Sequence, residues 1–159
     1  MAERRLLELI YTFFVGVLLA LFVGVGINTF YAQPVAPRYP IELEVPRKEL
    51  SAQQLLLQRQ FDKRNEAYLA TLKTYNRNVS MLALAAAVIL LGLSLLAEKR
   101  LKLVANGVML GGLLTLFYSI GRGFASESSN YTFWLVAISL VIVLLLGFRK
   151  LAGRQGSTP

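Results

Sequence analysis

The sequence contains no cysteine and no histidine among its 159 residues. Without cysteine the chain can form no disulfide, no catalytic thiol and no thiolate metal site. Without histidine it can form neither an imidazole metal or haem site nor a histidine proton switch. We therefore expect no cofactor and no metal centre. A membrane bundle needs no disulfide, so the lack of cysteine does not identify a compartment.

Charge is also scarce: charged residues make up 16% of the chain, whereas hydrophobic residues make up 55%. The hydrophobic residues form four runs, at positions 6–31, 79–96, 101–120 and 131–148. Each run is long enough, or nearly so, to cross ~30 Å of hydrocarbon at roughly 20 residues per span. Backbone groups inside a bilayer must pair locally, which requires helices. The sequence predicts an all-α membrane protein with four transmembrane helices.

The stretch from Ser51 to Glu98 contains no proline, and its only glycine is Gly92. Ser51 and Gln54 have the spacing of a capping box, in which each residue bonds the other's backbone N–H group. The first part of the stretch is polar and the last part is apolar. We interpret it as one long helix, whose amphipathic part at 51–78 is a helical stalk extending outward from the second span.

The segment before this helix is rich in proline, at Pro34, Pro37, Pro40 and Pro46. Proline removes backbone donors and fixes φ, so the segment is predicted to be extended. We interpret it as a stiff connector, and a ligand for an aromatic groove is the alternative. Residues 41–45 alternate apolar and charged side chains, which favours a short strand or a segment lying along a helix.

One face of the stalk carries apolar and aromatic side chains. Phe61, Tyr68 and Tyr75 recur every seven residues, and Leu72 lies near them in an imperfect heptad pattern. Three arrangements remain open for these four candidate partner-binding residues. The face can pack on the returning proline-rich segment, form a coiled coil with another copy, or lie on the membrane surface.

Small residues repeat at four-residue spacing in two of the spans. Gly16, Ala20 and Gly24 do so in the first span, and Gly107 and Gly111 in the third. Such spacing puts residues with almost no side chain on one helical face, where another backbone can approach closely. We expect these five residues to form helix-packing surfaces.

These patterns divide the chain into four parts. We assign 1–31 to the first span with its short basic start, 32–78 to the connector and stalk, 79–150 to three further spans, and 151–159 to a disordered tail. Within the third part, residues 98–102 form a very short charged turn, which predicts an antiparallel hairpin. Residues 121–130 are expected to form a flexible polar loop.

Chemical groups are sparse inside the spans, and no ionisable residue lies in the middle of any of them. For four hydroxyls within these apolar helices we expect a bond back to the residue's own helix: Ser94, Thr115, Ser119 and Ser139. None has a histidine to activate it as a nucleophile. Arg122 and Glu127 can pair across the loop. The chain is not expected to be an enzyme.

The end of the first span reads Gly24-Val-Gly-Ile-Asn-Thr-Phe-Tyr31, followed by Pro34. This stretch resembles the same region of uncharacterised bacterial integral membrane proteins with four helices. The resemblance covers about a dozen residues and implies no activity. We expect a multi-pass protein of the cell membrane, in the bacterial inner membrane.

The net charge of +8 arises largely from basic residues that flank the spans. The tails and the turn at 98–102 carry eight of the 17 basic residues, whereas the loop at 121–130 carries only Arg122, so the positive-inside rule places both termini in the cytoplasm. The eight basic residues between 32 and 78 oppose this orientation. Because flanking positive charge serves the membrane, we expect no nucleic-acid partner.

Two functions fit these features. The first is a non-enzymatic structural, scaffold or accessory subunit, which acts through helix packing and the outer stalk on another copy or a membrane-protein partner. The alternative is a small oligomeric channel or transporter, although the spans offer few polar residues to line a pore. A membrane enzyme ranks third, because acid and base groups are missing.

Overall fold

The structure is a computed structural model that describes residues 2–41, 51–98 and 100–155. Within these residues the chain forms four α-helices: α1 (Ala2–Phe30), α2 (Ala52–Ala97), α3 (Lys102–Phe124) and α4 (Ser129–Gln155). All four are long and apolar enough to cross a membrane. The prediction of an all-α chain with four candidate spans is confirmed.

Helix α2 has 46 residues, which corresponds to a length of about 69 Å at 1.5 Å per residue. Its start is the predicted capping box: the Ser51 hydroxyl accepts from the Gln54 N–H at 3.3 Å, and the Ser51 N–H donates to Gln54 Oε1 at 3.0 Å. The length exceeds twice the ~30 Å of a hydrocarbon core. If the apolar part of α2 crosses a bilayer along the membrane normal, the rest of the helix therefore extends beyond that bilayer.

Helices α2 and α3 each contact the other three helices, and their contact with each other is the most extensive in the bundle. Helix α3 runs antiparallel to α2. The Ser94 hydroxyl of α2 donates to the Ala105 carbonyl near the start of α3, and Ser80 meets Ser119 near its end. This arrangement agrees with the hairpin that the short turn predicts.

Helices α1 and α3 run parallel and approach closely at glycines. A Cβ atom added at Gly107 would lie 2.7 Å from a methyl carbon of Val15. A Cβ atom added at Gly111 would lie 2.9 Å from Leu19 Cβ and 3.2 Å from the Gly16 carbonyl oxygen. Residue numbers rise together along both helices, which makes the pair parallel. Only glycine permits this approach, which increases the dispersion contacts between the helices.

Helix α4 is attached to α3 near both of its ends. At its start, the Thr132 hydroxyl donates to the Gly123 carbonyl at 3.0 Å, and Leu135 covers Gly123. Towards its end, Lys150 Nζ donates to Asn106 Oδ1 at 2.9 Å. An apolar crevice of about 380 Å³ lies between the two helices. It is lined by Leu113, Leu116, Phe117, Ile120, Val136, Ser139, Leu140 and Val143.

Two predicted boundaries differ from the structure. Residues 121–124 continue α3, and the connection to α4 is only 125–128. Side chains hold this last turn, because Arg122 bonds to α2 and Leu135 packs at Gly123. Residues 151–155 were assigned to a disordered tail, but α4 continues through Gln155. Residues 156–159 lie outside the described part of the chain.

Residues 32–41 form no strand or α-helix and return along α2. The Tyr31 ring stacks on Tyr75 with centroids 5.2 Å apart, and the Tyr39 ring meets Phe61 edge-on at 5.1 Å. Eight extended residues span about 25 Å, and the fourteen helical residues from Phe61 to Tyr75 span about 21 Å. These lengths match, so the two segments lie side by side. The alternating segment at 41–45 and Pro46 fall almost wholly among residues 42–50, outside the described residues.

Candidate functional site

A group of polar and aromatic side chains lies where α2 meets the end of α1, the end of α3 and the start of α4. We call it the polar junction. It consists of Tyr31, Tyr75, Asn76, Ser80, Tyr118, Ser119, Arg122 and Tyr131.

Arg122, in the last turn of α3, is the charged residue of the junction. Its Nη1 donates to Asn76 Oδ1 at 2.8 Å, and its Nε donates to the Tyr118 hydroxyl at 3.1 Å. The guanidinium carbon lies 5.6 Å from the ring centroids of both Tyr75 and Tyr118. Both distances are within the ~6 Å range of cation–π attraction. The guanidinium is thus held by two rings and one amide, all of them uncharged.

Asn76 is only 5% exposed and connects α2 to the end of α3. Its Nδ2 donates at 3.1 Å to the carbonyl of Ala125, the residue that caps α3. The last carbonyls of a helix have no partner within the helix, so this bond satisfies one of them. The positive charge of Arg122, in the last turn of α3, also interacts favourably with the negative end of the α3 dipole.

Tyr31 and Tyr75 join the end of α1 to α2. Their rings are stacked and nearly parallel, with an angle of 6° between the ring planes. The Tyr75 hydroxyl donates to the Tyr31 carbonyl at 3.2 Å, and Asn78 Nδ2 donates to the Tyr31 hydroxyl at 2.9 Å. Tyr75 is buried and therefore lies at the base of the predicted stalk, within the bundle.

Ser80 links three helices. Its hydroxyl donates to the Ser119 carbonyl of α3 at 2.8 Å and accepts from the Tyr131 hydroxyl of α4 at 3.1 Å. The Ser119 hydroxyl returns a bond of 2.8 Å to the Ser80 carbonyl. Both serines are fully buried. Hydroxyl bonds of this kind fix the rotation of packed membrane helices relative to one another.

Glu127 lies in the connection between α3 and α4, with a positive φ of 54°. Its carboxylate pairs with Lys73 at 2.6 Å, and both side chains are well exposed. The possible pair between Arg122 and Glu127 is therefore not formed. Arg122 turns to Asn76 on α2, because residues 121–124 are helical and not part of a loop.

The four hydroxyls predicted to bond within their own helices divide into two kinds. Thr115 and Ser139 bond back to carbonyls of their own helices, as predicted. For Ser94 and Ser119 the prediction is wrong, since each donates to a carbonyl of the neighbouring helix. The close α2–α3 packing brings a foreign carbonyl within reach of these two hydroxyls.

The structure places the expected helix-packing residues as follows. Gly16, Gly107 and Gly111 lie in the contact between α1 and α3, and Ala20 is half-buried. A Cβ atom added at Gly24 would meet no atom within 4 Å. The α1–α3 contact therefore uses the first of the three small residues of α1 and not the third.

The expected partner-binding residues extend over about 21 Å of α2, and their role in binding a partner stays a prediction. Tyr75 is part of the junction, and Phe61 contacts Tyr39. Tyr68 and Leu72 lie between them on α2 and are half-buried. Among the described residues, no group of three acidic side chains is placed to hold a metal ion.

Sequence reasoning missed the junction itself. Arg122 stood out as a basic residue at the end of the third span, but its partner Asn76 is 46 positions away. Asn76, Arg77 and Asn78 follow Tyr75, and this polar run at the border of a span was the available signal.

Comparison with models of known protein families finds no match for this chain. Comparisons with curated proteins and with solved structures likewise find no similar protein.

Proposed function

We propose that this protein is a non-enzymatic scaffold or accessory subunit of a membrane. In this proposal the chain crosses the bilayer four times, and the stalk at 51–78 presents a recognition surface to another copy or to a membrane-protein partner. The observation that carries the proposal is the division of α2 at Tyr75. From Tyr75 onward the helix has buried residues, whereas no residue from 52 to 74 is buried.

Length supports this division. Residues 75–97 of α2 correspond to ~35 Å of helix, close to the ~30 Å of a hydrocarbon core. Residues 52–74 correspond to about the same length again. This first half of α2 carries six charged side chains, whereas the middle of each span carries none: Arg59, Asp62, Lys63, Arg64, Glu66 and Lys73. Burying this many charged side chains in hydrocarbon would cost a large amount of free energy, so this half of the helix is expected to lie in water.

The surface of the other part of the bundle is apolar. Phe22, Phe117 and Phe148 are 76%, 72% and 74% exposed, on three different helices. A soluble protein rarely exposes apolar surface of this extent, whereas lipid contact stabilises it. The hydroxyls of the spans bond within the subunit, which leaves few polar groups to line a channel. This favours the scaffold over the channel or transporter.

The proline-rich segment gives the stalk a partner within its own chain. The contact between Tyr39 and Phe61 and the stack of Tyr31 on Tyr75 hold the segment along the helix at two points. Packing against a second segment stabilises an exposed helix, because most helical stability in proteins comes from tertiary packing. A stalk stiffened in this way loses less conformational entropy when a partner binds.

In the proposed orientation both termini and the turn at 98–102 face the cytoplasm of a bacterium, and the stalk faces outward. The flanking basic residues support this direction. This orientation needs both termini and the turn at 98–102 to lie at one end of the bundle. The starts of α1 and α3 and the ends of α2 and α4 do lie together at one end.

The test is the assembly state of the protein extracted from native membranes in a mild detergent. We expect a discrete assembly, larger than the 159-residue chain in its detergent micelle. The variants Leu55→Ser and Leu69→Ser, which remove exposed apolar side chains of the stalk away from the proline-rich segment, should weaken it, while Thr71→Ser should not. A monomer without any partner would contradict the proposal. Steady ion or solute flux through reconstituted liposomes would favour the channel instead.

A further inference from the structure

We propose that Arg122 binds a phosphate group at the polar junction, of the kind carried by a phospholipid headgroup or by free inorganic phosphate. The phospholipid source rests on the proposed membrane placement, whereas the phosphate chemistry itself does not.

The first support is the unbalanced charge of Arg122. Among the described residues, the ion pairs are Arg4 with Glu8, Lys73 with Glu127, and Lys150 with Glu98, and none includes Arg122. The nearest acidic candidate, Glu127, is held by Lys73 at 2.6 Å. Arg122 is half-buried, so water stabilises its charge less than on an open surface. An anion bound there would balance the charge.

The second support is the number of donors left over. A guanidinium carries five N–H groups in a planar fork. Two of them bond, one to Asn76 and one to Tyr118, and the remaining three bond to no atom in the described part of the chain. A phosphate accepts two parallel bonds from such a fork, with charge assistance that makes them stronger than neutral hydrogen bonds.

The third support is that the guanidinium is already fixed in position. Asn76 cannot swing away easily, because its amide also bonds to the Ala125 carbonyl. Tyr75 is held in turn by its bond to Tyr31 and by the stacked rings. A fixed donor set binds an anion with less loss of side-chain entropy than a free surface arginine does.

The junction also lies where phosphate is found in a membrane. It is at the end of α3 and the start of α4, at the border between the apolar spans and the polar stalk. Headgroups occupy this level on either side of the hydrocarbon core. The exposed aromatic side chains Phe133 and Trp134 at the start of α4 are typical of the same level.

The experiment is calorimetric titration of the full chain in a neutral detergent with four probes. These are dihexanoyl phosphatidylglycerol, phosphate-free dihexanoylglycerol, inorganic phosphate and sulfate. We expect saturable binding of a phosphate-bearing probe and none of dihexanoylglycerol. Binding of phosphatidylglycerol alone assigns a lipid headgroup, and binding of inorganic phosphate assigns a soluble source. If no phosphate-bearing probe binds, or if dihexanoylglycerol binds equally well, the proposal is wrong.

Two variants separate the site from the fold. Arg122→Gln removes the charge, and Asn76→Asp places a carboxylate where Asn76 Oδ1 now lies, 2.8 Å from Arg122 Nη1. Each should weaken binding at least about tenfold, since a charge-assisted bond is lost or already occupied. The control Arg77→Gln removes an exposed charge of the same region and should change binding less than about twofold.

Thermal unfolding of each variant shows whether it still folds. Unchanged binding in both folded Arg122→Gln and Asn76→Asp would overturn the proposal. Alkali extraction of the wild-type protein from membranes tests membrane integration separately. If alkali releases the protein from the membranes while phosphate still binds to it, then the membrane proposal fails and the Arg122 site stands.

Discussion

The hydroxyl groups of Ser80 and Ser119 each donate to the other residue's backbone carbonyl oxygen, at 2.8 Å in both directions. This reciprocal pair crosses from α2 to α3, and both residues are fully buried. Each bond ends on a backbone carbonyl, which an alanine variant keeps, so each hydroxyl contributes one bond that does not need the other hydroxyl. The pair fixes the rotation of the two helices at the level of the polar junction.

We predict that Ser80→Ala and Ser119→Ala each lower the free energy of unfolding by about 0.5–1.5 kcal/mol, the usual range for hydroxyl bonds between membrane helices. The double variant should cost about the sum of the two, because each substitution removes a different bond. Reversible unfolding in mixed detergent micelles measures these values. Ser139→Ala is the control, because its hydroxyl bonds only its own helix, and it should change stability less. A double variant that costs much less than the sum would show that the two bonds are not independent.

Gly111 should tolerate no side chain. In Gly111→Ala the new Cβ atom would approach Leu19 Cβ to 2.9 Å and the Gly16 carbonyl to 3.2 Å, so that α1 must move. We expect a loss of about 1–3 kcal/mol in the unfolding free energy, as for other overpacked sites. Gly147→Ala is the matched control, since its Cβ would have no neighbour within 4 Å. That variant should match the wild type or gain up to about 1 kcal/mol from helix propensity.

Glu127 has a backbone conformation that favours glycine, with φ of 54°. Glu127→Gly and Glu127→Ala both remove the exposed pair with Lys73, which contributes little. Only the glycine variant removes the steric cost of the left-handed conformation. We therefore expect Glu127→Gly to be more stable than Glu127→Ala by roughly 1 kcal/mol in thermal or denaturant unfolding. An alanine variant as stable as the glycine variant would contradict the backbone geometry.

The contact between Tyr39 and Phe61 can be tested by crosslinking, because the chain contains no native cysteine. With Tyr39→Cys and Phe61→Cys in one chain, a short bis-maleimide should form an intramolecular crosslink in high yield. Electrophoresis of protease-nicked protein detects the link. The control pair uses exposed Asp62→Cys in place of Phe61→Cys, on another face of α2, and should react less. Equal yields would show that the proline-rich segment is not seated on this face.

The sequence predicted the features that depend on neighbouring residues. The apolar runs predicted the four helices, and Ser51 with Gln54 predicted the start of α2. The junction was not predictable in this way. It depends on which residues of distant segments lie at the same level along the axis of the helix bundle, as Asn76 and Arg122 do. That level follows from the register of α2 against α3, which the close packing of Leu91 at Gly112 helps to set.

The helix ends illustrate the same limit. Gly121 and Gly123 have low helix propensity, and on local grounds α3 should end before them. Tertiary contacts reverse this outcome, because the Gly123 carbonyl accepts from Thr132 of α4 while Leu135 fills the space beside Gly123. Such contacts exist only once α4 has packed, so no local pattern reveals them.

The most direct test is the labelling of single cysteines in intact cells with a membrane-impermeant maleimide. One variant carries Lys63→Cys in the stalk, and the other carries Arg100→Cys in the turn between α2 and α3; both positions are exposed. If α2 crosses the bilayer with its stalk outward, Lys63→Cys is labelled in intact cells and Arg100→Cys only after lysis. Labelling of both positions from the same side would contradict a four-span arrangement.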